Sequence, residues 1–320
     1  MRPLLSLLIA LLSLTPAAAA APKPAPSAPY HSLTRDFARF YDETQGMPED
    51  RRVAAFKARF APLFPGFYAP ADGQTEEQYG ASIRGALANF AALRPRYEQA
   101  ERDFPRAYAA GLAHFRGTFP GFKSTVPIWF VHSLGRMDGG TRTLEGRNTL
   151  IFGADVIAKI HDSGDIGPFL DHELFHVENS RWFPDCEPDT IVWCSLWQEG
   201  LATYVSGTMN RTTDPHMLML VFPAPIIPAV DADWRGALCM TRGDLEKSDR
   251  ATYAMYFMGG GSRHPYPARF GYYIGYRVMQ RLGKRYSLAA LDKMGRAEAR
   301  KRLFATLDAM IAEAGGCPAH

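Results

Sequence analysis

His172-Glu173-Leu174-Phe175-His176 is the stretch of this chain from which its architecture can be inferred. Residues i and i+4 of a helix lie on one face, so a helical segment directs both imidazoles at the same point. Two imidazoles in that arrangement can bind one metal ion, and Glu173 can reach a water molecule on that ion. The motif therefore predicts a metal site on a helix, with ordinary core histidines as the alternative.

A carboxylate downstream can complete such a site, because a hydrolytic zinc ion has three protein ligands and one open position. Glu199 follows His176 after 22 intervening residues, which leaves room for a loop and a returning helix. Pro184 and Pro188 lie in this interval as helix breakers. We therefore predict Glu199 as the third ligand. Three competing acidic residues fit solvated loop or helix-end positions better: Glu178, Asp185 and Glu187.

These residues together resemble the gluzincins, zinc metallopeptidases whose third ligand is a glutamate on the helix after H-E-x-x-H. The segment Glu199-Gly200-Leu201-Ala202 also resembles a family of predicted secreted zinc-dependent proteases. The resemblance implies one Zn²⁺ ion bound by His172, His176 and Glu199, with Glu173 as the general base.

The resemblance covers about residues 126–283, and the N-terminal third of the chain carries no motif that contributes to it. Thermolysin-like enzymes have an aspartate four residues after the glutamate ligand, and it orients a ligand histidine. Thr203 occupies that position in this chain. The contacts around the ligand histidine must therefore differ from that pattern, or another residue must supply them.

The resemblance also implies a hydrogen-bond donor for the tetrahedral oxyanion. In aminopeptidase-like gluzincins the donor is a tyrosine three residues before a glycine, at the start of a later helix. Tyr272-Tyr273-Ile274-Gly275 is similar to that pattern, which indicates Tyr272. Tyr273 and His264 remain alternative donors, and each tyrosine can instead be a core residue with a satisfied hydroxyl.

The function implied by the resemblance is that of a secreted or periplasmic zinc-dependent peptidase acting on a peptide or protein substrate. Zinc lowers the pKa of bound water to about 7, and Glu173 would take the proton as that water attacks the carbonyl carbon. The chain lacks a segment resembling the amine anchor of aminopeptidases, which favours endopeptidase action. The alternative is an exported non-peptidase, a binding or assembly protein on a zincin scaffold with structural zinc or none.

The first 20 residues have the pattern of a secretory signal peptide. Arg2 is followed by the apolar run Leu4 to Leu14, and Ala18 to Ala21 resembles a cleavage site. Residues 21–30 are rich in proline and alanine and are predicted to be a disordered leader. We expect an exported protein, periplasmic or extracellular, with no membrane span after signal removal.

The composition and charge do not point to a nucleic-acid partner. The chain is 47% hydrophobic and 22% charged, as ordinary globular proteins are. A net charge of +3, without a basic run interleaved with aromatic residues, gives no reason to expect nucleic-acid binding. The chain is long enough to bury a substantial core, in one large domain or two lobes.

The four cysteines favour disulfides, because an even count is typical of proteins in oxidising compartments. Cys186 and Cys194 flank the loop between the two predicted metal-binding helices, and we expect them to pair. Cys239 and Cys317 would then join the C-terminal tail to the body of the protein.

Residues 31–120 are predicted to form an N-terminal helical region. Two short strands are expected after it, Thr125 to Val131 and Asn148 to Phe152, with a long turn marked by Gly139 and Gly140 between them. Asn148 to Phe152 is our candidate for a substrate-binding edge strand, and an ordinary interior strand is the alternative.

The remaining chain completes the predicted fold class. Residues 211–250 contain several prolines and are expected to be irregular, and helices are expected from Phe270 onwards. We therefore predict an α+β, mainly helical protein with a small mixed sheet. Residues 121–320 form its zincin-like catalytic region, with the active-site helix between N- and C-terminal helical parts.

Overall fold

The computed structural model describes residues 28–71, 73–124, 126–161, 165–259 and 265–318. The predicted signal peptide, nearly all of the predicted leader and His264 lie outside these residues. Within them the chain forms four strands and twelve helices, in this order: β1 (Tyr30–Ser32), α1 (Thr34–Glu43), α2 (Glu49–Phe60), α3 (Glu76–Thr118), β2 (Ile128–Val131), β3 (Gly139–Leu144), β4 (Arg147–Gly153), α4 (Ala154–Ile160), α5 (Gly167–Asn179), α6 (Val192–Met209), α7 (Ile226–Ala232), α8 (Trp234–Asp244), α9 (Arg250–Phe257), α10 (Phe270–Leu282), α11 (Leu288–Asp292) and α12 (Arg296–Glu313).

The four strands form one mixed sheet in the order β1-β2-β4-β3. β1, β2 and β4 are parallel, with Phe130 of β2 opposite Phe152 of β4, whereas β3 pairs with β4 in the antiparallel direction. The predicted fold class, mainly helical α+β with a small mixed sheet, is confirmed at this level.

The predicted edge strand was wrong. Asn148 to Phe152 does form a strand, but this strand, β4, lies between β2 and β3 and is interior. The two edge strands are β1 and β3, and β3, in the segment that its two glycines had marked as a turn, is the one next to α5. A Cβ atom on Gly139 would lie 2.7 Å from the Phe169 ring and 2.9 Å from Glu173 Cγ. The glycine at 139 therefore permits a close approach between β3 and α5.

The predicted N-terminal helical region contains α1, α2 and the 43-residue helix α3, together with β1 at its start. Thr75 begins α3 with a capping box that includes Gln78, which satisfies the first free amides of the helix. Phenylalanines hold the three helices together through edge and stacked ring contacts: Phe37, Phe40, Phe56, Phe60 and Phe90. The long helix α3 then extends to pack against α4 and α5, next to the predicted metal motif.

Residues 211–250 were predicted to be irregular. Residues 211–225 do form turns and bends, but the prediction was wrong from residue 226 onwards, where the short helices α7 and α8 follow and α9 begins at Arg250. Pro225 is the N-cap residue of α7, a position where proline does not break a helix. The Asp233 side chain accepts the Gly236 amide at the start of α8. The helices are short and locally capped, so they lack the long apolar periodicity that identifies a helix from sequence.

The contact between α6 and α10 brings together the segment that contains Glu199 and the segment that contains Tyr272. A Cβ atom on Gly200 would lie 2.5 Å from Gly275 Cα, and one on Gly275 would lie 2.5 Å from the Leu196 carbonyl oxygen. The two backbones therefore touch, which only glycine allows at both positions. This crossing holds the segment with Glu199 against the segment with Tyr272.

Both predicted disulfides are confirmed. Cys186 is bonded to Cys194, and Cys239 is bonded to Cys317. Disulfides are typical of proteins in a non-reducing compartment. Across the described residues, none of the helices has the length and apolar composition required to cross a bilayer.

Candidate metal centre

The helix α5 presents the two histidines from the interior of the protein. It begins with Pro168 in its first turn, as expected, where the missing proline amide costs nothing. Nearly all its side chains are buried, and it ends at Asn179, whose side-chain amide donates to the Asp292 carbonyl oxygen. The orientation of His172 and His176 is therefore fixed by packing on all sides of the helix.

Three side chains converge at the centre. His172 Nε2 and His176 Nε2 are 3.1 Å apart. Glu199 Oε2 is 3.2 Å from the first nitrogen and 3.3 Å from the second. A tetrahedral zinc ion with bonds of about 2.0 Å requires ligand atoms separated by about 3.3 Å. His172, His176 and Glu199 therefore form a group that could hold a metal ion.

The competing acidic residues do not join this group. Glu178 forms an ion pair with Arg181 at 2.9 Å. In the described part of the chain, neither Asp185 nor Glu187 belongs to a cluster of potential metal ligands.

Thr203 does not orient a histidine. Its hydroxyl donates to the Glu199 carbonyl oxygen, 2.8 Å away in the same helix. His172 Nδ1, the atom that such a residue would contact, has no hydrogen-bond partner among the described residues. The difference from the thermolysin-like pattern therefore extends to the contacts around His172, whose imidazole is held by packing and by the polar contacts of its Nε2 atom.

The Glu199 carboxylate and the histidine imidazoles shift one another's pKa values. Burial disfavours charge on His176, but the Glu199 carboxylate outweighs this and raises the pKa of His176 to about 9. Burial likewise opposes charge on Glu199, yet the two imidazoles hold the pKa of its carboxyl well below the usual value. The site therefore favours positive charge between the imidazoles and the carboxylate.

Glu173 is placed differently from the ligands. Its side chain is 6% exposed and lies against Gly139 of β3. Its Oε2 atom is buried and has no hydrogen-bond partner within the described ranges. Burial raises the pKa of Glu173 to about 8, although the charge on His176 opposes this shift. A buried carboxyl group without a structural partner is available for proton transfer.

Tyr272, and not Tyr273, lies beside the metal group. The Tyr272 ring stacks on the His172 imidazole with centroids 6.2 Å apart. Burial raises the pKa of Tyr272 well above its usual value, so the phenol stays protonated at neutral pH. The Tyr273 hydroxyl instead donates to Asp231 at 2.9 Å.

The centre opens into a cleft with a volume of about 1380 Å³. One wall is the edge strand β3, and α9 and α10 contribute Tyr253 and Tyr272 to another. The helix α3 also contributes to the lining, with residues that include Gly85 and Asn89. The volume exceeds that of typical small-molecule pockets, so the cleft can accommodate several residues of a peptide.

Sequence reasoning missed two residues of this cleft. Tyr253 lies on α9, in a segment whose helix could not be identified from periodicity, and the Glu199 charge acts on its buried hydroxyl. Arg269 precedes α10 and lies over the Tyr272 ring. The sequence carries no signal for either residue, because only the tertiary packing of α9 and α10 brings them to the cleft.

Comparison of the chain with protein-family models, curated proteins and solved structures finds no match. The resemblance to gluzincins therefore depends on the residues and distances given above.

Proposed function

We propose that the protein is an exported zinc-dependent peptidase of the gluzincin type that hydrolyses peptide bonds in peptides or protein segments. The convergence of His172, His176 and Glu199 on one point is the observation that carries the proposal. Two imidazole nitrogens and one carboxylate oxygen are the donor set of many hydrolytic zinc sites, and three ligands leave one position open. When bound, zinc supplies a Lewis acid that polarises a carbonyl group and lowers the pKa of water.

Glu173 acts as the general base in this proposal. It takes a proton from the attacking water and returns it to the leaving amine. Its unpartnered Oε2 atom supports this role, because a carboxylate with a structural function would be hydrogen-bonded. Its position one residue after His172 keeps it on the same helix as both histidine ligands.

Tyr272 donates a hydrogen bond to the carbonyl oxygen of the substrate as that oxygen becomes negative. The ring contacts the His172 imidazole and the Arg269 guanidinium, and these contacts limit its movement. A donor that is already in position needs no reorganisation during the reaction.

The edge strand β3 orients the substrate. It pairs only with β4 in the sheet, so its other edge offers backbone groups to an extended peptide. Gly139 of this strand touches Glu173, so a peptide bound along β3 passes close to the general base. The N-terminal sequence pattern and the two disulfides support export of the protein.

The substitution Glu173→Gln tests this function. It keeps the size of the side chain and all three ligands but removes the base. We expect unchanged zinc content and a fall in hydrolysis of a quenched peptide library by about 10³-fold.

Glu178→Gln is the matched control, because it makes the same change on the same helix in an ion pair with Arg181. This control should keep its hydrolytic activity. Undiminished hydrolysis by the zinc-loaded Glu173→Gln protein would contradict the proposed mechanism. A zinc-loaded wild-type protein that cleaves no peptide would favour the alternative of a non-peptidase binding or assembly protein.

A further inference from the structure

Arg269 is a buried cation in the wall of the cleft. Arg269 is 9% exposed and lines the same cleft as Glu173 and Tyr272. Its backbone amide donates to the Met255 carbonyl oxygen, which ties it to α9. Burying a guanidinium is unfavourable unless an anion compensates its charge.

Among the described residues, no carboxylate is committed to Arg269 alone. Two acidic side chains act on the charge of Arg269, Asp138 and Glu199. Asp138 is paired with His161 at 3.1 Å, and Glu199 is paired with the two ligand histidines. Over the described ranges, no carboxylate forms an ion pair with Arg269. Its charge is offset by Tyr272, whose ring lies 4.5 Å from the guanidinium carbon, and by the charges of the two carboxylates, which are paired elsewhere.

The backbone holds Arg269 in position at some cost. Its φ angle is 70°, in the left-handed region that side chains other than glycine rarely adopt. The next turn is tightly packed, because a Cβ atom on Gly271 would lie 2.7 Å from the Tyr256 carbonyl oxygen. Strain of this kind persists where the surroundings fix a residue, and it is concentrated at binding sites.

The position of the guanidinium relative to the metal group determines what it can bind. The Tyr272 ring contacts both the guanidinium and the His172 imidazole, so Arg269 lies one residue's contact away from the metal group. An anionic group of a bound peptide can therefore reach Arg269 while a neighbouring peptide bond lies beside Glu173. Guanidinium and carboxylate groups pair through two parallel hydrogen bonds, which are stronger away from water.

We propose that Arg269 binds a carboxylate of the substrate, so that the cleft selects peptides with a free C-terminus or an acidic side chain near the cleaved bond. As a statement about a substrate, the inference rests on the proposed peptidase function. The binding step itself needs no hydrolysis and can be measured separately.

The first test measures which peptides the protein retains. Immobilised Glu173→Gln protein is incubated with an N-acetylated mixed hexapeptide pool, as free acids and as C-terminal amides in equal amounts. A second amidated pool carries glutamate or glutamine at one position. Mass spectrometry then measures enrichment, with zinc and without it, because zinc itself can bind a carboxylate.

Two comparisons are made, free acid against C-terminal amide and glutamate against glutamine. In one of them we expect the peptide with the carboxylate to be enriched at least about tenfold, with zinc and without it. Enrichment of the acid over the amide identifies the C-terminus as the source, and enrichment of glutamate over glutamine identifies a side chain. Equal retention within both pairs would overturn the proposal, whatever the Arg269 variants do.

The second test assigns the effect to Arg269. Arg269→Met should abolish the enrichment, and Arg269→Lys, which keeps the charge but loses the planar fork, should restore part of it. Lys159→Met is the matched control, because Lys159 is an exposed cation that lines the same cleft. Full enrichment in a folded Arg269→Met or Arg269→Lys protein, or its loss in Lys159→Met, would contradict the assignment.

The two proposals fail in different ways. If the wild-type protein cleaves peptides but retains acids and amides equally, the role of Arg269 is wrong and the peptidase function stands. If the carboxylate preference depends on Arg269 but no peptide is cleaved, the peptidase function is wrong and the binding site stands.

Discussion

Two buried carboxylates that line the cleft, Asp155 and Glu173, differ in their hydrogen-bond partners. Asp155 accepts backbone hydrogen bonds from Ser133 and Gly135 at 2.6 and 2.7 Å, so both its oxygens have a structural role. Glu173 is equally buried, yet one of its oxygens has no partner among the described residues. The difference supports the proposed role of Glu173 in proton transfer, because an unpaired buried carboxyl lowers stability.

Removal of the Tyr272 hydroxyl tests the proposed hydrogen-bond donor to the substrate carbonyl oxygen. We expect Tyr272→Phe to keep its zinc and its stability and to lower kcat by about 10²- to 10³-fold, with a smaller change in KM. Tyr273→Phe removes the same atom one position along the chain, where the hydroxyl donates to Asp231. Steady-state kinetics of both variants check this, and equal effects in the two would exclude a specific role for Tyr272.

Single residues were predictable from sequence where helical spacing determines their geometry. His172, Glu173 and His176 lie within one helix, so their relation follows from the backbone alone. Glu199 could be selected only from its interval and its motif, and the structure brings it to the two imidazoles. Arg269 gave no signal, because its role depends on the packing of its neighbours rather than on its own segment.

The crossing of α6 and α10 is the element-scale feature on which the site depends. Glu199 and Gly200 are adjacent in α6, and Tyr272 and Gly275 lie one turn apart in α10. A side chain at 200 or 275 would push the two helices apart and move the third ligand away from the histidines. The glycine in the Glu-Gly-Leu-Ala segment is thus explained by contact between two backbones.

Gly200→Ala tests this crossing. Because a Cβ atom at 200 would lie 2.5 Å from Gly275 Cα, we expect a loss of about 1–3 kcal/mol in the free energy of unfolding, together with weaker zinc binding. Gly243→Ala in α8 is the control, since a Cβ atom there meets nothing within 4 Å. Urea unfolding should show the control unchanged or slightly stabilised. A Gly200→Ala protein as stable as wild type would mean that the helices separate without penalty.

Elements were predictable where a long apolar pattern defines them, as in α3, α10 and α12. The edge strand β3 was missed because its two glycines serve a close approach to α5, while the same residues usually mark a turn. The short helix α7 was missed because Pro225 at its start resembles proline in a loop. The helix α8 was missed because it is short and lacks a long apolar pattern.

For the molecule as a whole, the two disulfides have different positions relative to the site. Cys186–Cys194 joins the loop before α6 to the first turn of α6, the helix that carries Glu199. Cys239–Cys317 spans 78 residues and joins α8 to the end of the chain after α12, away from the residues that line the cleft. Four cysteines allow three connectivities, so the sequence alone did not determine the pairing. The expected pairing rested on closing the loop before Glu199 and joining the tail to the body, and both bridges are present.

Removal of the second bridge should therefore affect stability and leave the chemistry intact. For Cys239→Ala with Cys317→Ala we expect a loss of about 2–4 kcal/mol in the free energy of unfolding, because the unfolded chain regains a long loop. Zinc content and hydrolysis at 25 °C should stay at the wild-type values. Thermal unfolding and metal analysis check this, and a folded double variant without zinc would show that the bridge positions the site.

The central claim is that His172, His176 and Glu199 bind one metal ion together, and zinc binding by the intact chain tests it most directly. Protein purified without chelators is analysed for zinc per chain, and its affinity is measured by competition with a chromophoric chelator. The account predicts one zinc ion per chain, with affinity reduced by more than about 100-fold in Glu199→Ala and in His172→Ala. A wild-type protein that binds no zinc, or a Glu199→Ala protein that binds it as tightly as wild type, would contradict the account.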